Sequence, residues 1–444
     1  MHLRFLLFLF TFTLFAAITV NAATTPTEAA AIAAAERDHS AYVLPPDKLA
    51  QSDALARVRV ALTFGTPLLG MLALFLTLQW HIAARMRNVA MNLSNRAGFS
   101  KNRWVQCFLF FFEFLLFMTV LSLPLNVYEH HVQSAYGLSV QGWGSWLADQ
   151  AKSFGLNYLF GGLGVMLLFY LIRRFPRRWW LWLWIPTMAF SLLAVFAEPY
   201  VIAPLFNKFE PLSHSDPELV TQLERVVARG KGIDIPPERM FLMKASDKVT
   251  TLNAYVSGFG ASKRIVVWDT SLAKASPDEI LFIFGHEMGH YVLGHILRGM
   301  LFAFIFILVS FFLGFHLFQF LLARFGPRWH IRTQDDWAAL VVFVLVLSLI
   351  DFLGEPVQSA FSRSLEHAAD IYGQEVVHGI VADPQRVGRA AFQLLGENGL
   401  ATPNPSAFVT FWTADHPPLW WRASFAKHYD PWTANAQSKY FPNQ

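Results

Sequence analysis

Two histidines four residues apart enclose a glutamate in His286-Glu287-Met288-Gly289-His290, a set of side chains suited to metal-assisted hydrolysis. On a helix the two imidazoles lie on one face about one turn apart, so both can grip one zinc ion while Glu287 points at a water held there. An exposed amphipathic helix with histidines as polar surface is the bland alternative. The surroundings favour the first reading. Ile280, Leu281, Ile283 and Phe284 form a periodic apolar run, Ser276-Pro277-Asp278-Glu279 reads as a helix start with proline in the first turn, and nothing breaks the run before Gly294.

A catalytic zinc site needs a third protein ligand and one open position. Glu366 is the best candidate, in the helical stretch Phe361-Ser362-Arg363-Ser364-Leu365-Glu366-His367-Ala368-Ala369-Asp370, which carries Glu366 and Asp370 on one face at i, i+4 spacing. With Glu366 on the metal, Asp370 is placed to accept the free ring N–H of a liganding histidine and fix its tautomer. Pairing of both acids with Arg363 and solvent is the alternative. His295, His367 and His378 are rival ligands, each without an equally coherent partner.

These residues must be positioned by a chain that is mostly apolar. Hydrophobic residues make up 54%, phenylalanine alone numbers 43, and charged residues are 15%, against about 25% in soluble proteins. The expected class is a multi-pass membrane protein in contact with a lipid bilayer. The single cysteine, Cys107, lies in an apolar run, which excludes a disulfide framework and argues against thiol catalysis. The formal net charge of +4 has no nucleic-acid character, because arginine and lysine cluster at the ends of apolar segments.

Apolar segments suited to a bilayer core of about 30 Å lie near residues 60–84, 104–127, 155–172, 179–203, 300–323 and 337–358. At the start, a basic Met1–Arg4, an apolar Phe5–Val20 and the small-residue site Val20-Asn21-Ala22 read as a secretory signal peptide, with a retained seventh span as the alternative. The expected divisions are 1–22, signal peptide or first span; 23–58, an exported tail; 59–204, four transmembrane helices; 205–298, a metalloprotease segment with the HEMGH helix; 299–359, two transmembrane helices; and 360–444, a C-terminal catalytic segment.

Positive charge in short loops sets orientation. Residues 85–103 carry Arg85, Arg87, Arg96, Lys101 and Arg103; residues 173–178 carry four arginines; residues 324–336 carry Arg324, Arg328 and Arg332. If the six spans alternate, these loops share one side, the cytoplasm, and the zinc segments face the exported, periplasmic side of an inner or plasma membrane.

The order of motifs resembles the integral-membrane CAAX prenyl endopeptidases and their bacterial relatives. The landmarks are Pro204-Leu205-Phe206-Asn207-Lys208-Phe209, Asn253-Ala254-Tyr255 with Gly258-Phe259 and Lys263-Arg264-Ile265-Val266, the HEMGH helix, the Ser362 to Asp370 segment and His416-Pro417-Pro418. The resemblance implies a mainly α, multi-span helical bundle around a hydrated chamber, with a zincin-like metalloprotease domain that carries a small β hairpin or edge strand. It implies one zinc ion held by His286, His290 and Glu366, Glu287 as general base, and Asn253 and His416 in the substrate cleft, with His416 as oxyanion stabiliser. Glycine-interrupted alternation from Asn253 to Trp268 suits an edge to which an extended substrate can add as a strand. Glu113, His316 and Asp351, ionisable groups inside apolar runs, would line the chamber, with buried pairing as the alternative.

The expected activity is therefore zinc-dependent, gluzincin-like endopeptidase chemistry on a polypeptide, of the kind that processes C-terminal CAAX motifs. Eukaryotic members act on prenylated proteins at the cytosolic side, which conflicts with the loop charges. A quality-control protease for membrane or exported polypeptides is thus the alternative, and a non-enzymatic membrane protein with a structural metal the more distant one. Glu287 speaks against the last, since a closed structural site has no use for it.

Overall fold

The computed structural model describes residues 23–230, 235–258, 263–433 and 436–442. The choice between a signal peptide and a seventh span falls on residues 1–22, outside the described residues, as does Phe259.

Thr25 and Glu28 close a capping box at the start of α1 (Pro26–Ala35), where Pro26 occupies the first turn. Then follow α2 (Pro46–Gln79), α3 (Ile82–Arg96), α4 (Arg103–Ala135), α5 (Trp143–Arg174) and α6 (Trp179–Phe206). A π-helical turn interrupts α5 at Asn157–Gly161 and another interrupts α6 at Glu198–Ile202. The remaining long elements are α7 (Pro217–Arg229), α8 (Pro277–Val292), α9 (His295–Phe325), α10 (Ala339–Val376), α11 (Pro384–Gly399), α12 (Ala407–Thr413) and α13 (Leu419–His428). Six of these, α2, α4, α5, α6, α9 and α10, are long and apolar enough to cross a membrane. The chain is a polytopic helical membrane protein. Helix α10 has 38 residues, about 57 Å at about 1.5 Å per residue, so its apolar first half can span the bilayer while its second half carries Glu366 and Asp370 beyond it.

A four-stranded sheet, β1 (Phe209–Pro211), β2 (Met240–Met243), β3 (Ala254–Ser257) and β4 (Arg264–Trp268), has the order β1-β2-β4-β3. β2 and β4 are parallel, whereas β3 pairs antiparallel with β4 in the register Ala254↔Val267 to Ser257↔Arg264. β3 is therefore an edge strand. The inward residues Leu242, Ala254, Ile265 and Val267 share a core with Ile280, Leu281, Phe282 and Phe284 of α8 and with Leu223 and Val226 of α7. A second core, built around Trp179, Phe110, Phe169, Phe318 and Val341, holds the spans together.

Two sequence expectations are corrected here. The first apolar segment does not run to residue 84: α2 stops at Gln79, and His81 adopts a left-handed φ of 59° before α3 starts. His81 stacks on His330 at 4.0 Å and its Nε2 lies 2.9 Å from the Arg328 carbonyl, so a tertiary contact overrides the apolar pattern. Nor does the helix of the first span start at residue 59, and residues 23–58, expected as an exported tail, are docked on the rest of the chain. Ala31 and Ala35 of α1 pack on Ile371, Phe425 and Tyr429, the Tyr42 hydroxyl donates to the Ala401 carbonyl at 2.7 Å, and α2 begins at Pro46. An alanine-rich face offers little hydropathy contrast by which such docking could be foreseen.

Because the spans alternate, the loops around residues 80–102, 175–178 and 326–338 meet at the end of the bundle away from the sheet. They form one cap: Arg87 pairs with Asp336 at 2.6 Å, Arg103 with Asp335 at 3.3 Å, and the Arg173 guanidinium lies 5.6 Å from the centre of the Trp337 ring.

Candidate metal centre

Helix α8 begins as its sequence requires. The Ser276 hydroxyl accepts from the Glu279 amide, Glu279 reaches back to the Ser276 amide, and Pro277 sits in the first turn. Gly294, at φ 68°, separates α8 from α9. Glycine also sets how closely α8 can cross α10. A Cβ on Gly373 would stand 2.7 Å from the His286 backbone nitrogen, one on Gly289 3.1 Å from Tyr372, and one on Gly285 2.7 Å from a Val376 methyl. The crossing is tight enough that residues almost eighty positions apart share one site.

At that crossing His286 Nε2 lies 3.3 Å from Glu366 Oε2, His290 Nε2 lies 3.4 Å from Glu366 Oε1, and the two Nε2 atoms are 3.2 Å apart. One donor atom from each of the three falls within 4.8 Å of the others, the spacing of a candidate metal site. Glu287 Oε1 stands 4.0 Å from His286 Nε2, at the mouth of this trio.

The two histidines are braced differently. His286 Nδ1 faces Asp370 Oδ1 at 2.8 Å, and Arg422 grips the same carboxylate with Nε at 2.8 Å and a terminal nitrogen at 2.6 Å. His290 Nδ1 instead faces His295 Nδ1 at 3.2 Å. His295 is buried, and its Nε2 has no hydrogen-bond partner among the described residues. If His290 turns the lone pair of Nε2 towards an ion, its proton resides on Nδ1 and is donated to His295.

The other candidates are distributed unevenly. His416 Nε2 lies 3.1 Å from Glu366 Oε2, and its Nδ1 lies 2.8 Å from Asp415. With 47% of its side chain exposed, His416 stands where the trio opens outward. Asn253 is an exposed residue just before β3; its amide donates to Ser271 Oγ at 2.9 Å and its carbonyl accepts from the Trp268 amide at 3.1 Å. The structure draws no hydrogen bond from its side chain to the trio. The edge of β3 nonetheless ends beside the site, since the Tyr291 hydroxyl donates to the Gly258 carbonyl one residue after His290. His367 turns to Glu28 at 3.2 Å and His378 stacks on Trp432 at 4.0 Å, so neither joins the trio. Arg363 donates to the Thr410 and Ala414 carbonyls rather than to the two acids. Glu113, His316 and Asp351 lie on α4, α9 and α10, and no two of them are in hydrogen-bonding or ionic contact in the structure; Asp351 accepts from Gln358 and His316 meets Phe312 and Phe315.

Arg422 and the three crossing glycines escaped the sequence analysis. Arg422 follows two tryptophans and has no local signal. Gly285 and Gly289, at i, i+4 within α8, mark a face that permits close approach, a signal that was available.

Electrostatics bind these groups into one unit. Burial opposes protonation of His286, yet hydrogen bonds to Asp370 and Glu366 and their charge push its pKa up to about 10. His290, buried beside it and repelled by its charge, is pushed down to about 3. Burial works against the His416 cation too, but bonds to Asp415 and Glu366 raise it to about 9. Burial, with the nearby Glu366 charge, raises Glu287 above the ordinary carboxylate range despite the opposing His286 charge. The carboxylates favour positive charge beside these imidazoles, the charge a divalent cation supplies. Two imidazole nitrogens and a buried carboxylate fit zinc.

Comparison with known proteins agrees with this architecture. Residues 36–208 match the family described as CAAX prenyl protease N-terminal, five membrane helices, and residues 213–430 match peptidase family M48. An uncharacterized metalloprotease, YhfN, from Bacillus subtilis (strain 168) is 34% identical over 325 residues, covering 73% of this chain and 74% of that one. CAAX prenyl protease 1 of Saccharomyces cerevisiae is 28% identical over 355 residues, with 77% and 75% covered. The CAAX prenyl protease 1 homolog of Homo sapiens is 25% identical over 366 residues, with 73% and 74% covered. The crystal structure of S. mikatae Ste24p superimposes with a TM-score of 0.73 at 23% identity, covering 92% of this chain and all of that one, a likeness of fold.

Proposed function

The chain belongs to peptidase family M48, and from that premise we propose that His286, His290 and Glu366 hold zinc and that Glu287 is the general base of a membrane-embedded endopeptidase. The observation that carries this reading is the convergence of two histidines, a buried carboxylate and a free glutamate from two distant segments. When bound, zinc there would lower the pKa of water and polarise a carbonyl as a Lewis acid.

The chain's own residues do the rest. Glu287, a stronger base than an ordinary carboxylate because burial raises its pKa, takes a proton from the attacking water and passes it to the leaving amine. Asp370, clamped by Arg422, holds the His286 ring with Nδ1–H towards itself and Nε2 towards the ion. His416, protonated at neutral pH, is placed to donate to the oxyanion that develops on the scissile carbonyl. The free edge of β3 accepts an extended polypeptide by strand addition, with Asn253 at its start.

The substrate we favour is a polypeptide presented at the membrane surface, with cleavage near a C-terminus as in the relatives named CAAX prenyl protease 1. One observation supports a second reading, quality control of membrane or exported polypeptides: the arginine-rich loops gather at the end of the bundle away from the site. The positive-inside rule then puts the site on the exported face.

A single panel separates these readings. Purified protein is offered a farnesylated C-terminal peptide, its unprenylated twin and an unfolded membrane protein, with Glu287→Gln as control. Selective cutting of the farnesylated peptide supports CAAX-type processing, and cutting of the other two supports quality control. Wild-type turnover by Glu287→Gln, with zinc retained, would refute the base assignment.

A further inference from the structure

Away from the catalytic centre, the basic cap contains a cavity of about 750 Å³ lined by Gly98, Phe99, Ser100, Lys101, Asn102, Arg103, Trp104 and Arg173. Three of these are cations. Among the described residues one acid pairs with them, Asp335, which lies 3.3 Å from Arg103. A terminal nitrogen of Arg173 is buried and has no hydrogen-bond partner among the described residues. That nitrogen is packed away on the Trp337 side of the guanidinium, while the partly exposed remainder of Arg173, with Lys101 and Arg103, leaves the cavity with a surplus of positive charge suited to an anionic acceptor. The Asn102 side chain already accepts from the Trp104 and Val105 amides, so the start of α4 is capped and the demand for an anion comes from the side chains.

The cavity's position narrows the anion's source. Lys101 and Arg103 stand where α4 begins and Arg173 where α5 ends, at the same end of two membrane spans. Phe99, 50% exposed, and Trp104, 61% exposed, flank the opening. Exposed aromatic side chains at span ends favour the headgroup level of a bilayer, where lipid phosphates lie. We propose that this cavity binds the phosphate group of an anionic membrane lipid, with Arg173 and Lys101 as its partners and Trp104 beside the glycerol and upper acyl region. The start of α4 and the end of α5 would then be tied to the membrane by a bound lipid, while the Arg87–Asp336 pair ties two of the cap's loops to each other.

The test uses the full chain purified in detergent and re-supplied with phosphatidylglycerol or phosphatidylcholine, read by lipid retention in native mass spectrometry and by thermal midpoint. Phosphatidylglycerol should be retained roughly tenfold better and raise the midpoint, and Arg173→Gln and Lys101→Gln should each lower that preference roughly fivefold. Arg173 also lies over Trp337, so Lys101→Gln, at an exposed position, keeps the test decisive if the first variant folds poorly. Inorganic phosphate supplied alone distinguishes the sources. Equal protection by millimolar phosphate, lost in both variants, would support an anion site and overturn the lipid. Equal retention of the two lipids, or a preference that survives both substitutions, would overturn the proposal.

Discussion

The crossing of α8 with α10 and the membrane bundle obey different packing rules. Nine of the sixteen residues of α8 are buried, glycines included, and the crossing helix backbone approaches within touching distance of His286. In the spans, the most apolar windows bury only 11% to 39% of their residues within the chain, leaving most of their surface for lipid. The contrast teaches where this molecule needs precision. A three-residue ligand set tolerates displacements of only about half an ångström, and close-packed interiors transmit strain, so the site sits where one helix backbone meets another and the two cannot slide. A lipid-facing surface has no such demand.

The sharpest way to break the contrast is Asp370→Ala. It leaves the buried Arg422 guanidinium without its carboxylate and should cost about 3–5 kcal/mol of stability, together with retained zinc; denaturant unfolding and metal analysis would measure both. A stable variant with full zinc content would mean that the crossing does not depend on this pair. Next in size is Gly373→Ala, whose methyl meets the His286 backbone. Overpacking of about 1–3 kcal/mol should lower the thermal midpoint and spread the ligands, whereas the same change at Gly164, around which a Cβ meets nothing within 4 Å, should do neither.

A finer test exploits the two histidine braces. His295→Leu should weaken zinc retention roughly 10- to 100-fold in chelator competition, while His295→Asn, whose amide oxygen can take the His290 proton, should recover most of it. Equal affinity for wild type and His295→Leu would show that His290 needs no brace.

Acid should loosen the docked α1 before it affects the bundle. Burial raises the pKa of Glu28, but hydrogen bonds from His367 and Lys439, and their charge, bring it below its ordinary value of 4.5. A depressed carboxyl contributes stability that is complete above the unfolded value and lost as pH falls through the folded one. Hydrogen exchange in α1 should therefore rise below about pH 4.5, and Glu28→Gln should flatten that dependence. The smallest effect belongs to the lipid face: Leu193→Ala, at a residue 63% exposed, should change stability by no more than about 0.5 kcal/mol.

Much of this was legible in advance. The start of α8, the six spans and the antiparallel pair β3–β4 follow from local signals: a capping box, runs of apolar residues, alternation broken by glycine. Helical spacing put His286 with His290, and Glu366 with Asp370, on single faces. Arg422, the His295 brace and the docking of α1 were not legible, because each depends on which surfaces meet.

The amino-acid sequence by itself determined the class of molecule and the inventory of its chemistry, since hydropathy over about twenty residues and spacing over one helical turn are local properties. Only the tertiary structure decided that Glu366 meets His286, that Asp370 is shared between His286 and Arg422 while His290 leans on His295, and that three basic loops meet in one cap. Those are consequences of two helices approaching until their backbones touch and of spans returning to the same membrane face, distances that no local pattern encodes.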